Sequence, residues 1–124
     1  MRHNRYSIND LSSTAISLRN VLRSDFDEWV NFFRDPSSTE YLGPGNEGSL
    51  KAQTEYWFER IELREKNNTG HVAAIENSQG ILVGMIGLMI QEVEGKDELE
   101  IGYWILPQHR QKGYGSEAAR LVRK

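Results

Sequence analysis

The sequence predicts a mixed α/β layer fold in the order β-α-α-β-β-β-loop-α. Three observations predict it. Two segments of the first half, Phe26 to Phe33 and Leu50 to Ile61, carry apolar residues at helical spacing. Three apolar runs separated by turn residues follow over 71–106. A basic, glycine-bearing loop and a further helix close the chain.

The elements follow in order. Ala15 to Leu22 mixes β-branched residues and leucine with Ser17, Arg19 and Asn20, which reads as a strand with Ile16, Leu18 and Leu22 inward. Ser24 reads as an N-cap with acids filling the turn behind it, and Phe26, Trp29, Val30 and Phe33 line one helical face. Asp35-Pro36 ends that helix, and Ser37 to Gly48 reads as a loop anchored by Tyr41 and Leu42. Ser49 to Lys66 is a second helix with a stripe of Leu50, Trp57, Phe58 and Ile61 and an i,i+4 pair Glu62–Lys66. Asn67 to Gly70 stops it. His71 to Glu76 is a short strand, and Asn77 to Gly80 is a turn. Ile81 to Glu92 is a long strand, apolar on both faces at first and so central. A turn at Gly95-Lys96-Asp97 leads to the strand Glu98 to Leu106, which Pro107 stops. Gln108 to Gly115 is a loop, and a helix begins at Ser116.

At 124 residues the chain is one domain, 1–124, large enough to bury a core without staples. Cysteine is absent, which excludes disulfides, thiolate metal sites and a cysteine nucleophile. A net charge of −3 argues against a DNA binder. No apolar region follows the basic residues Arg2, His3 and Arg5, and no apolar run approaches the roughly twenty residues of a membrane span, so no membrane association and a cytoplasmic location are expected. His3, His71 and His109 sit at no metal-ligand spacing, so no metal site is expected. Trp29, Phe33, Trp57 and Phe58 read as core, and His109 as a solvated loop residue.

The chemistry concentrates in Glu98 to Lys124. Gly113 and Gly115, one residue apart, let the backbone approach a ligand and aim successive N–H groups the same way. The helix start adds unpaired N–H groups and a positive dipole end, and Arg110 and Lys112 add charge. This is an anion site suited to a phosphate or pyrophosphate. Residues 108–124 carry a balance of +4, which leaves −7 on the 107 before them. An acidic body with one basic loop suits a nucleotide-like cofactor better than a long polyanion. Neither the P-loop pattern nor G-x-G-x-x-G is present.

Arg110-Gln111-Lys112-Gly113-Tyr114-Gly115, directly after Glu100-Ile101-Gly102-Tyr103-Trp104, resembles the GCN5-related N-acetyltransferase (GNAT) superfamily, whose acetyl-CoA loop reads [QR]-x-x-G-x-[GA]. With Pro107 and the run Gly113 to Ala118, it is similar to the ribosomal-protein N-acetyltransferase branch. The resemblance implies a GNAT-like mixed sheet, truncated after the phosphate-loop helix because members continue past it. It implies acetyl-CoA as co-substrate, held by the backbone of Gln111 to Gly115 with Ser116 opening the helix and Arg110 and Lys112 alongside. Ile105 and Leu106 would pair by main chain with the pantetheine arm. Gly102 would mark a bulge or close approach, and an N–H near Trp104 or Ile105 would polarise the thioester. Glu100 is the candidate base and Tyr103 the second candidate. Glu40, Tyr41 and Tyr56 would lie toward the acceptor.

The expected function is acetyl transfer from acetyl-CoA to a primary amine, a protein N-terminus, in one step without a covalent enzyme intermediate. The alternatives are a polyamine or aminoglycoside acceptor, a CoA-binding module without catalysis, and an inactive truncated form. An incomplete sheet would leave 98–106 as an open edge, so a homodimer is expected.

Overall fold

The computed structural model describes residues 8, 11–13, 15–39 and 48–123. Its elements are β1 (Ile16–Asn20), α1 (Phe26–Arg34), α2 (Pro36–Thr39), α3 (Leu50–Lys66), β2 (Gly70–Asn77), β3 (Leu82–Val93), β4 (Lys96–Ile105) and α4 (Tyr114–Val122), with single 3₁₀ turns at Arg23–Asp25 and Pro107–His109. The strands form one sheet in chain order, and every pairing is antiparallel. The fold is therefore mixed α/β in its layers, while the sheet itself holds no parallel pair among the described residues. No helix among those residues is long and apolar enough to cross a membrane.

Turn chemistry sets the register. The Asn77 side-chain oxygen accepts from Gln79 N–H at 2.9 Å and from Ile81 N–H at 3.1 Å, closing the β2–β3 turn. Glu94 and Gly95 both take positive φ, 53° and 78°, the backbone of a two-residue hairpin whose twist matches its strands. Lys96 thus pairs with Val93, and Lys96 and Asp97 belong to β4, where a longer turn was expected.

The sheet carries a core on each face. On one, Ile16, Leu18, Ile75, Ile86 and Leu88 meet Ala118, Ala119 and Leu121 of α4. On the other, Val72, Ala74, Met85 and Leu106 meet Trp29, Phe32 and Phe33 of α1 and Phe58 and Ile61 of α3. Residues Leu82 to Met89 of β3 are all buried, as a central strand requires. The register shifts between Ile75 and Glu76, where β3 holds the extra residue Val83. The slip lets Val83 join the α4 side and Met85 the α1–α3 side.

Several local expectations are corrected. Leu22 lies beyond β1 and is 52% exposed, because the chain turns there into a 3₁₀ turn. Ser24 caps nothing. Asp25 stands at the N-cap of α1, but its carboxylate bonds no N–H of that helix and turns back to accept from Leu22 N–H at 2.8 Å. Phe32 is fully packed and Val30 only half-buried, since α1 rotates its aromatic edge toward Trp57. Glu62 pairs with Arg23 at 2.9 Å, across to the 3₁₀ turn, and forms no pair with Lys66. Asp35-Pro36 ends α1 but also opens α2, with Pro36 in the first helical turn where its missing N–H costs nothing. Ser37 to Thr39 are therefore helical rather than loop. Glu40, Tyr41 and Leu42 lie outside the described residues.

Asp25 is nearly buried and accepts a two-toothed pair from Arg19, at 2.8 and 3.0 Å. Arg19 also donates to Glu76 of β2 at 2.8 Å. One guanidinium thus ties β1, the 3₁₀ turn and β2, and both carboxylates push its pKa up. Asp25→Ala is expected to lower the unfolding free energy by about 2–3 kcal/mol in urea melts, since it strands Arg19 and the Leu22 N–H together. A loss below about 0.5 kcal/mol would place the pair in the class of surface ion pairs.

Candidate active site

The candidate site lies where β4 ends and α4 begins. The chain leaves β4 at Ile105, makes a 3₁₀ turn, and re-enters a helix at Tyr114. Two residues of this connection are left-handed, Gln111 at φ 64° and Gly113 at φ 82°. Gly113 bears that conformation without strain, and it sits at the N-cap, where no side chain caps the helix. Glu117 N–H is the first to reach an intrahelical acceptor, the Gly113 carbonyl at 3.0 Å. The N–H groups of Tyr114, Gly115 and Ser116 precede it and have no hydrogen-bond partner among the described residues. They stand at the positive end of the α4 dipole. α4 therefore starts two residues earlier than its sequence suggests, and Tyr114 and Gly115 belong to its first turn.

A cleft of about 450 Å³ opens beside them. One wall is Gly113 to Ser116. The opposite wall comes from α1 and α2, through Phe32, Ser37 and Ser38, and the floor is the end of β4, Tyr103 to Ile105.

The β3–β4 ladder decides which main-chain groups of β4 the cleft can use. Leu106 N–H bonds the Val83 carbonyl at 2.9 Å. In an antiparallel ladder the polar groups of successive residues alternate between partner and open side. Trp104 and Gly102 thus turn theirs toward β3, while Ile105, Tyr103 and Ile101 turn theirs to the open edge. Arg110 confirms the parity, since its Nε–H reaches the Ile105 carbonyl at 3.1 Å. Of the two expected oxyanion positions, only the Ile105 N–H faces outward. Leu106 is corrected: its N–H is bound to β3, its carbonyl accepts from His109 N–H at 2.9 Å, and its side chain is fully buried. Among the described residues, this end of the open edge presents the main-chain groups of Tyr103 and the N–H of Ile105, whose carbonyl Arg110 takes.

The other expected site residues divide. Tyr103 lines the cleft with its ring against Gly115, where an added Cβ would overlap the ring. Gln111, Gly113, Tyr114, Gly115 and Ser116 line it too. Lys112 is exposed beside it and has no ion-pair partner among the described residues. Gly102 marks no bulge. It pairs in register with Gly87, and the Trp104 indole lies over both, 3.1 Å from where a Gly102 Cβ would stand.

Glu100 is exposed on β4 and does not line the cleft. Its place in the strand alternates with Tyr103, so it belongs to the sheet face covered by α3. There its charge, with Tyr56, favours the charged form of Arg64 against burial and the neighbouring Arg60, which hold the Arg64 pKa down. Three residues, about 10 Å of strand, separate Glu100 from Tyr103.

Phe32, Ser37, Ser38 and His109 were not expected here. Asp-Pro-Ser-Ser is a helix-start signal that could have revealed α2, because Asp35 Oδ1 accepts from the N–H and hydroxyl of Ser37. His109 is half-buried rather than solvated. It meets the Tyr114 ring edge-on at 6.4 Å, and its Nδ1 is buried without a partner among the described residues.

The acetyltransferase (GNAT) domain family model matches residues 16–124. The chain belongs to the GNAT acetyltransferase family. This GNAT chain is 28% identical over 92 residues, 71% of its length and 50% of the relative's, to the uncharacterized protein YkkB of Bacillus subtilis (strain 168). Among solved structures it is similar to an acetyltransferase from Agrobacterium tumefaciens str. C58, with a TM-score of 0.72 and 25% identity over 95% of this chain and 66% of that one. It is also similar to apo FdhC, a nucleotide-linked sugar GNAT, with a TM-score of 0.64 and 26% identity over 93% of this chain and 64% of that one. The ribosomal L7/L12 alpha-N-protein acetyltransferase RimL shares the fold, with a TM-score of 0.66 at 14% identity over 90% of this chain and 60% of RimL. The chain thus spans half the length of YkkB and less than two-thirds of FdhC and RimL. The family uses acetyl-CoA.

Two outcomes are expected. Gly115→Ala forces the Tyr103 ring off α4 and costs about 1–3 kcal/mol in a thermal melt, and adding Tyr103→Ala recovers most of the loss. No recovery would mean that the glycine serves something other than this contact. The second concerns His109, whose pKa is lowered by burial and then by Lys112, with Glu28 opposing. Its folded pKa lies below the unfolded one, so the unfolded chain binds the extra proton and stability falls as pH drops through about 6.5. His109→Gln is expected to flatten that part of the stability–pH curve, and an unchanged slope would contradict the assignment.

Proposed function

We propose that this domain carries out acetyl transfer from acetyl-CoA to a primary amine, with a protein N-terminal amine as acceptor. The observation that carries the reading is the row of uncapped N–H groups at Tyr114, Gly115 and Ser116, set at the foot of an open strand edge. A pyrophosphate fits the first. An amide-bearing arm fits the second, pairing with Tyr103 as an added strand would, while Arg110 holds the Ile105 carbonyl. Lys112 supplies the formal charge.

In the reaction the amine nitrogen attacks the thioester carbonyl carbon, the carbonyl oxygen takes up negative charge, and the C–S bond then breaks to release the thiolate. The Ile105 N–H, directed outward by the ladder, is the donor for that oxygen. A neutral amine is needed, and Glu100, five residues or roughly 16 Å of strand from Ile105, takes the proton along a chain of waters from an acceptor entering on the α3 side. Tyr103, whose ring lines the cleft, gives a proton to the leaving thiolate and regains one from the attacking nitrogen, whose second proton leaves as the amide forms. The absence of cysteine supports direct transfer.

The peptide acceptor is taken from the similarity of Glu100 to Ala118 to the ribosomal-protein N-acetyltransferase branch. The α3 side beside Glu100 carries both signs of charge, with Arg60 and the half-buried Arg64 next to it. The part of the open β4 edge before Tyr103 also supports a second copy of the chain as partner.

The test is CoA release from acetyl-CoA with a panel of peptides, polyamines and aminoglycosides. Peptide turnover is expected, and Glu100→Gln is expected to lower kcat by roughly 10²–10⁴ while leaving the Kd for acetyl-CoA unchanged. Tight acetyl-CoA binding without turnover on any acceptor would favour a binding module, and polyamine turnover would overturn the peptide assignment.

A further inference from the structure

Arg110 occupies the first fixed position of the phosphate loop and lines the cleft, yet its guanidinium is turned onto groups of the chain itself. Nε donates to the Ile105 carbonyl at 3.1 Å. Nη1 donates to Ser37 Oγ at 2.9 Å and lies 3.5 Å from Asp35 Oδ2. Nη2 donates to Ser38 Oγ. The three guanidinium nitrogens are thus all engaged, Nε five residues back along the chain and the two Nη atoms across 72 to 75 residues. Asp35 also faces the positive charge, so an approaching phosphate would meet a guanidinium whose field is partly cancelled.

These partners have a common geometry. Ile105 is the last residue of β4, with its outward edge on the cleft floor. Asp35, Ser37 and Ser38 form the corner between α1 and α2, the wall that faces Gly113 to Ser116. Gln108 adds a second polar link, reaching Glu28 at 3.3 Å on the exposed side, and Leu106 packs on α1 beneath. At the α1–α2 corner itself, the reach of Arg110 sets the width of the cleft. A lysine could not reproduce this, because a single ammonium cannot fork to a carbonyl, two hydroxyls and a carboxylate at once.

We propose that Arg110 is a positioning residue that clamps the α1–α2 corner to the end of β4, and that its guanidinium is not itself a phosphate ligand. The clamp stands on contacts within the chain, while the statement about phosphate rests on the acetyl-CoA reading above.

The experiment has two arms on the full chain. The first is a double-mutant cycle read by thermal melting. Arg110→Gln and the pair Ser37→Ala/Ser38→Ala are each expected to lower Tm, and the combined variant is expected to melt within about 1 °C of the worse of the two. Fully additive losses overturn the clamp. The second arm is calorimetric titration with CoA. Lys112→Ala is expected to weaken binding about tenfold and to flatten its salt dependence. Arg110→Gln is expected to change the Kd no more than the serine pair does, and Arg110→Lys is expected to behave like Arg110→Gln in the melts despite keeping the charge. A tenfold loss for Arg110→Gln that the serine pair does not share, restored by Arg110→Lys, identifies a phosphate ligand and overturns the proposal. If the parent chain binds no CoA, the acetyl-CoA reading fails, and the melting cycle still decides the clamp.

Discussion

The pairing of β3 with β4 is the constraint on which the site depends. Ladder parity dictates that Tyr103 and Ile105 present their backbone to the cleft while Trp104 and Leu106 do not. The close fit of the two strands holds that parity in place. A Cβ on Gly84 would stand 2.5 Å from the Trp104 carbonyl oxygen, and Gly87 and Gly102 pair directly beneath the Trp104 indole. A slip by one residue would turn every outward group of β4 inward and move the Tyr103 ring away from α4. The two-residue hairpin at Glu94-Gly95 sets the same register from the other end.

Electrostatics at the site is economical in formal charge. The loop and helix are basic in sequence, but Arg120 is paired with Glu117, and Arg110 is held by Ile105, Ser37, Ser38 and Asp35. What faces the cleft is chiefly main chain, three N–H groups at a helix start, with Lys112 beside them. Such donors are fixed by the fold and need no side-chain ordering when an anion arrives. His109 adds to this setting as a neutral ring, since burial and Lys112 both disfavour its charged form.

The α1–α2 side is held differently. Trp29 stacks on Phe32 at 4.8 Å, and Trp57 meets Trp104 edge-on at 4.9 Å. The aromatic layer thereby joins α1, α3 and β4, and the cleft wall at Phe32 is an extension of the core. Glu100 and Arg64 lie on this same side, whereas Tyr103 and the phosphate-sized donors lie toward α4. A reaction at this site would take its amine from one face of the sheet and its cofactor from the other.

Local signals along the chain were enough for the layer architecture, the central place of β3 and the basic, glycine-bearing loop before α4. These follow from periodicity, from turn residues such as Asn77 and Gly95, and from the paired Gly113 and Gly115, all of them local signals. The sequence placed Ile105, Gly113, Tyr114, Gly115 and Ser116 at the site, and the structure brings them together. It could not tell that Leu106 is bound into the sheet, that Arg110 turns to Ser37 and Ser38, or that Glu100 and Tyr103 occupy opposite faces. Nor could it find Phe32 in the cleft wall or Asp25 beneath Arg19. Those outcomes depend on ladder parity and on contacts between residues some seventy positions apart, such as Arg110 with Ser37. Only the folded chain decides them, because a hydrogen bond is allotted by which groups meet in space, and the spacing of residues along the chain carries no record of that.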